Sequence, residues 1–244
     1  MGFMKDRLIV ALDVPTRKEA FQMVKMLDGE VGAYKIGMQL YNSEGPDIVR
    51  DIQFLGGRVF VDLKFHDIPN TVGQASRVMA RKNAFMFTLH ASGGFKMMKT
   101  SADSVREEAA ELGIDPPLSV AVTVLTSISH EVFLSELGSR YTIAQQVTNW
   151  AKLAQKAGLS GVVCSPWEIS AIRQACGDDF VIVTPGVRPA WAETNDQERI
   201  MTPKEAVQTG STYLVVGRPI TKADSPREAA QRIVAEMEEG EKSR

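Results

Sequence analysis

The chain has no excess of basic residues, no disulfide framework and no long apolar run. Its 28 Lys and Arg are outnumbered by 30 Asp and Glu, for a formal net charge of -2 over 244 residues. That balance argues against a protein that works by neutralising nucleic-acid phosphates. Its two cysteines, Cys164 and Cys176, show no metal-type spacing and cannot build a disulfide scaffold, so a reducing, cytoplasmic setting is expected. No apolar stretch approaches the roughly 18 residues of a membrane helix. Near the N-terminus, Lys5 and Arg7 precede Leu8-Ile9-Val10-Ala11-Leu12, but Asp13 ends that run before it acquires signal-peptide character. The expectation is therefore a protein with neither nucleic-acid nor membrane partners. A Gly-x-Gly-x-x-Gly fingerprint after a strand is also missing, as are His-rich or carboxylate-His spacings, so neither a dinucleotide cofactor nor a metal is expected.

What is present is an ordinary globular composition, 44% apolar and 24% charged, arranged in a repeating pattern. Apolar, β-branched runs recur near 7–13, 31–36, 58–64, 85–90, 118–125, 160–164, 180–184 and 212–216, each followed by a helical pattern. Helix starts are marked by Thr16-Arg17-Lys18-Glu19, Ser165-Pro166-Trp167-Glu168, Thr202-Pro203-Lys204-Glu205 and Ser225-Pro226-Arg227-Glu228, which read as capping boxes. No linker divides the series. Eight uninterrupted strand-helix alternations predict an α/β fold, a single (β/α)8 TIM barrel over residues 1–244, with an open doubly wound sheet as the runner-up.

Strand parity then sorts the charged residues. Phe60, Asp62 and Lys64 share one face of the third strand, and Val59, Val61 and Leu63 take the helix-facing side. The same parity aligns Asp13 with Ile9 and Ala11, and Lys35 with Ala33. The charges thus converge at the C-terminal mouth, where barrel enzymes keep their active sites. Asp13, Lys35, Asp62, Lys64 and Asp67 alternate in sign, which an inward cluster needs in order to survive desolvation. A lysine among carboxylates keeps its ammonium form and is suited to donate a proton. A lone Asp-x-Lys is usually a salt-bridged strand end; the matching charges on two other strands favour a site.

Across the ring, Pro185-Gly186-Val187-Arg188 follows the seventh run and Gly217-Arg218-Pro219-Ile220 the eighth, the positions where many barrels bind phosphate. Either pair alone reads as a turn with a solvated arginine; together they form a candidate anion cradle. The aperiodic stretch near 186–203, with Trp191 and Gln197, reads as a lid or as a solvated insertion. His66, His90, His130 and both cysteines are given packing or loop roles, and Met23, Met26, Met79, Met97 and Met98 helix-face packing.

On this evidence the chain is a barrel enzyme for a phosphorylated anion, of unnamed reaction. Further residues carry a family resemblance. They are Val10-Ala11-Leu12-Asp13, Lys35-Ile36-Gly37, the run Asp62-Leu63-Lys64-Phe65-His66-Asp67-Ile68-Pro69-Asn70-Thr71, His90-Ala91-Ser92-Gly93-Gly94, Leu125-Thr126-Ser127, Thr184-Pro185-Gly186-Val187-Arg188-Pro189, Asp196-Gln197 and Val216-Gly217-Arg218-Pro219. Through them the chain resembles the orotidine 5'-monophosphate decarboxylase family along essentially its whole length. The resemblance implies cofactor-free decarboxylation of orotidine 5'-monophosphate to UMP. It makes Lys64 the proton donor, sets Asp62 against the substrate carboxylate, and completes the array with Lys35 and Asp67. It also implies that Asp13 and Lys35 hold the ribose, Thr126 the pyrimidine, and Arg188, Gln197, Gly217 and Arg218 the phosphate. Asp67 and Thr71, with Ile68 between them as a further substrate contact, would serve the neighbouring site of a homodimer. Trp191-Ala192 departs from the family pattern in the lid. Two alternatives stay open: a metal-dependent 3-keto-L-gulonate 6-phosphate decarboxylase-like or hexulose-phosphate synthase-like lyase, and a catalytically silent nucleotide-binding barrel.

Overall fold

Each apolar run becomes a parallel strand because both of its faces are covered, one by the barrel interior and the other by helices. The computed structural model describes residues 3–191 and 201–244. Among them β1 (Leu8–Ala11), β2 (Ala33–Gly37), β3 (Val59–Phe65), β4 (Met86–His90), β5 (Leu118–Val122), β6 (Gly161–Val163), β7 (Val181–Pro185) and β8 (Tyr213–Val216) pair in chain order, and β8 closes onto β1. This is the predicted (β/α)8 barrel. The expected boundaries err most at the fifth strand, which ends at Val122 rather than at Leu125.

Helices cover the outside. α1 (Arg17–Met26) follows β1, α2 (Met38–Glu44) and α3 (Asp47–Phe54) follow β2, α4 (Pro69–Arg81) follows β3 and α5 (Gly94–Leu112) follows β4. α6 (His130–Ser135) and α7 (Ile143–Lys156) follow β5, α8 (Ile169–Cys176) follows β6, α9 (Pro203–Thr209) follows β7, and α10 (Arg218–Thr221) and α11 (Pro226–Lys242) follow β8. No helix among the described residues is long and apolar enough to cross a membrane.

The capping expectations meet mixed outcomes. Thr202 and Glu205 form a complete reciprocal box at α9, and the Thr16 hydroxyl accepts from Glu19 N–H at α1. Ser165 instead caps a short 3-10 turn over Pro166–Glu168 by accepting from Trp167 N–H, so Glu168 is not its box partner. Ser225 makes no side-chain cap bond, and α11 starts on Pro226 alone. A box that was not anticipated, Thr142 with Gln145, opens α7. Of the five methionines expected to pack, Met26 is instead exposed on the last turn of α1.

Parity divides the core in two. Ile9, Ala11, Ala33, Phe60, Met86, Val120, Val183 and Val215 fill the barrel interior. Their strand neighbours Val10, Ile36, Val59, Val61, Leu89, Ile182 and Leu214 face the helices in the larger outer core. A barrel this narrow leaves little room where strands approach. A Cβ on Gly161, the first residue of β6, would lie 2.0 Å from the Val181 carbonyl oxygen of β7. Gly161→Ala should therefore force the two strands apart, costing about 2 kcal/mol and lowering Tm by about 4–8 °C in a thermal melt. An unchanged Tm would show that the β6–β7 spacing is not tight.

Candidate active site

Register brings charges from separate strands to one level. Ala11 of β1 pairs with Lys35 of β2, and Gly37 of β2 pairs with Asp62 of β3. The side chains that emerge at the mouth form an unbroken alternating run. Asp13 Oδ1 lies 3.2 Å from Lys35 Nζ, Lys35 Nζ lies 3.5 Å from Asp62 Oδ2, and Asp62 Oδ1 accepts a 2.9 Å hydrogen bond from Lys64 Nζ. Its middle is the buried part: Asp13 is 64% and Lys64 26% exposed, whereas Lys35 and Asp62 are 12% and 14% exposed. The Asp62 carboxylate sits at the electrostatic centre. Burial pushes its pKa up, but Lys35 and Lys64, with hydrogen bonds from Lys64 and Thr88, outweigh burial and hold it below the ordinary carboxylate range.

Lys64 reaches inward through an irregularity in β3. Val61 pairs with Phe87 and Phe65 with Leu89, so Asp62, Leu63 and Lys64 stand opposite Thr88 alone. This bulge turns Lys64 into the left-handed region, with φ of 54°. For a non-glycine residue that conformation costs about 1–2 kcal/mol, so the surroundings must hold it there. Thr88 does so: its Oγ1 accepts from Lys64 N–H at 2.8 Å and donates to Asp62 Oδ1 at 3.0 Å.

Two cavities adjoin the array. One, of about 210 Å³, is lined by Asp62 and Lys64, by Val122, Val124, Val163 and Val183, and by Thr126. The second, of about 220 Å³, is lined by Asp13, Gly186, Arg188, Gly217 and Arg218. Lys35, Pro185 and Val215 belong to both, so the two form one trough, apolar at one end and cationic at the other. Gly186 has a φ of 78°, which favours glycine and lets the loop turn over the cationic end.

Asp13, Lys35, Asp62, Lys64, Thr126, Arg188, Gly217 and Arg218 are thus all in or against the trough. Asp67 is not joined to the array within this chain. It follows the end of β3, and its exposed carboxylate instead accepts from Ile68 N–H at 2.6 Å. Ile68, 66% exposed, and Thr71 are likewise on the outer surface. Gln197 lies outside the described residues, as does half of the expected lid, residues 192–200. At the lid's ends, Val187 bridges Met201, and the Trp191 ring packs on the Arg232 guanidinium of α11, with its centroid 4.1 Å away.

Thr88, His90 and the apolar wall were not among the predicted site residues. The signal was present: Thr88 and His90 share the inward parity of Met86, and Val122 and Val124 that of Val120. The His66 and His90 rings lie 5.3 Å apart. Burial, then His66 and Lys64, lower the His90 pKa against the pull of Asp62, favouring the neutral imidazole.

Fold and site together define a (β/α)8 barrel enzyme with a preformed array of charges and a cationic end. A model of the orotidine 5'-phosphate decarboxylase / HUMPS family matches residues 6–233, and the chain belongs to that family. A relative from Syntrophomonas wolfei named orotidine 5'-phosphate decarboxylase is 56% identical over 236 residues, covering 96% of this chain and 99% of the relative. One of the same name from Heliobacterium modesticaldum is also 56% identical, covering 97% of each. A crystal structure of orotidine 5'-phosphate decarboxylase from Lactobacillus acidophilus is similar with a TM-score of 0.84 at 38% identity, over 94% of this chain and 98% of that one.

The depressed Asp62 pKa makes stability depend on pH. In the unfolded chain an aspartate titrates near about 3.9, so with a lower folded value the stabilisation is whole above that pH and is lost as pH falls through the folded value. Urea unfolding followed from about pH 6 down to about pH 3 should show Asp62→Asn losing stability less steeply towards acid than the wild type. Parallel slopes would show that Asp62 is not held ionised.

Proposed function

We propose that this chain releases CO2 from orotidine 5'-phosphate without a cofactor, with Lys64 supplying the proton that takes its place. The overall reaction is that of the family and of its relatives over nearly the full chain, a carboxy-lyase step of pyrimidine biosynthesis. The observation that carries the residue roles is the Asp13–Lys35–Asp62–Lys64 run at the junction of the two cavities.

The trough matches a nucleotide in order. A phosphate at the cationic end meets Arg188, Arg218 and the backbone of Gly217, with Gln197 as a further partner from the lid. Ribose hydroxyls lie beside Asp13 and Lys35, and the pyrimidine enters the apolar end, where Thr126 offers a polar contact. In this orientation the C6 carboxylate comes against Asp62 and Lys64. The C6–carboxylate bond breaks with its electron pair left on C6, which has no conjugated sink. The Lys64 ammonium gives its proton to that carbon, CO2 and UMP leave, and the neutral amine regains a proton from solvent. Fixed charges do this work with little reorganisation, since the ammonium faces the position where negative charge develops. Repulsion between Asp62 and the departing carboxylate relaxes as CO2 forms.

A metal-dependent sugar-phosphate lyase is the weaker reading. Such an enzyme needs a carboxylate at the second-strand position, and here Lys35 stands between Asp13 and Asp62, where its ammonium already provides the positive charge. Decarboxylation that persists in EDTA supports the cofactor-free reading.

Asp67, Ile68 and Thr71 take their place in a homodimer, presented to a partner's trough, which accounts for an exposed isoleucine in a segment otherwise rich in chemistry. A cytoplasmic setting accords with Cys164 and Cys176, both buried free thiols.

Lys64→Ala should abolish the loss of orotidine absorbance while UMP still binds, as measured by calorimetry. Mixing Lys64→Ala with Asp67→Ala protein should restore part of the activity, because one of the two sites in each heterodimer is then whole. Inactive heterodimers would overturn the shared site, and an active Lys64→Ala enzyme would overturn the proton donor. At the far end, Arg218→Ala should raise KM by about tenfold or more, the loss of a charge-assisted phosphate contact. An unchanged KM would take Arg218 out of the site.

A further inference from the structure

Thr88 connects the strand backbone to the charged array. It is buried on the inward face of β4, and its hydroxyl, Lys64 N–H, Lys64 Nζ and Asp62 Oδ1 close a hydrogen-bonded ring at 2.8, 3.0 and 2.9 Å. A hydroxyl has a single hydrogen. Because its oxygen accepts from the Lys64 amide, that hydrogen is directed to Asp62, a polarity that suits an ionised carboxylate.

We propose that Thr88 is a positioning residue for the decarboxylation, its hydroxyl holding Lys64 in its left-handed conformation while orienting Asp62 towards the Lys64 ammonium. The proposal rests on the reading of Lys64 as proton donor. At the bulge the regular β3–β4 ladder is interrupted, so the Lys64 amide takes a side-chain acceptor instead of a strand carbonyl. A valine would fill the same volume and provide neither hydrogen bond. Asp62 is faced by Lys35 from β2 and Lys64 from its own strand, with Asp13 beyond Lys35, by Thr88 from β4, and more distantly by His90, whose ring meets that of His66 at a tilt. β5 brings the apolar Val122 to the same cavity. Thr88 is an uncharged donor to Asp62, so its removal changes the environment of Asp62 without adding or removing a charge.

Thr88→Val and Thr88→Ser in the full-length protein separate the hydroxyl from the packing. Thr88→Val should lower kcat about ten- to a hundredfold with KM changed less than about threefold, as expected when a hydrogen bond to a charged group is lost at the reacting end only. The acid limb of its kcat profile should move to higher pH, and a 13C-carboxyl titration of Asp62 should move the same way. Thr88→Ser should return all three towards wild type. Wild-type kcat and acid limb in Thr88→Val, or a Thr88→Ser enzyme as impaired as Thr88→Val, would overturn the proposal. Should Thr88→Val fail to fold, Thr88→Ala set against Thr88→Ser gives the same contrast. Lys64→Ala measured alongside distinguishes the failures: turnover by that variant removes the proton-donor reading, whereas its inactivity beside an unimpaired Thr88→Val removes the role of Thr88 alone.

Discussion

A carboxylate withdrawn from water must be compensated where it stands, and Asp62 is compensated by two ammoniums and a hydroxyl from three strands. Removing one partner of such a buried set generally costs about 3–5 kcal/mol, because the remaining charge is left uncompensated. The constraint reaches through the molecule. Lys35, Lys64 and Thr88 arrive at one point only if β2, β3 and β4 hold their register, and that register depends on the closed barrel and its alternating inner core. The inner residues Ile9, Phe60 and Val183 thus form the floor on which the charges are held.

On the proposed function, the trough divides the work of binding from that of reaction. Its cationic end carries Arg188 and Arg218, and its apolar end Val122, Val124, Val163 and Val183. Under the proposed function, binding energy gained at the first end would bring a carboxylate towards Asp62 at the second, an approach that is unfavourable on its own. The low polarity of the Val122, Val124 and Val163 wall strengthens every charge interaction opposite it.

Strain is concentrated at the same place. Lys64 is the residue on β3 that leaves regular backbone geometry, and it does so where the bulge sets three residues against one. A regular strand would carry Lys64 farther up the barrel mouth, on the same face but with an extended backbone. With the bulge, its ammonium reaches the Asp62 carboxylate at 2.9 Å. Local stability is given up for the placement of one ammonium, as is common where backbone strain and function coincide.

By itself the sequence determined the barrel, the inward faces and the two arginine loops, because strand alternation and helix starts are local properties of the chain. It marked Asp13, Lys35, Asp62 and Lys64 as one group for the same reason. Asp67 joined that group by sign and by the family resemblance, which gives it to a neighbouring subunit's site; it lies beyond the end of the strand, where parity no longer governs direction, and within this chain it bonds to the Ile68 amide. The tertiary structure alone decided the bulge, the ring through Thr88 and the joining of the two cavities. These depend on how far β3 slides past β4 and on distances between loops far apart in the chain, which only closure of the barrel sets.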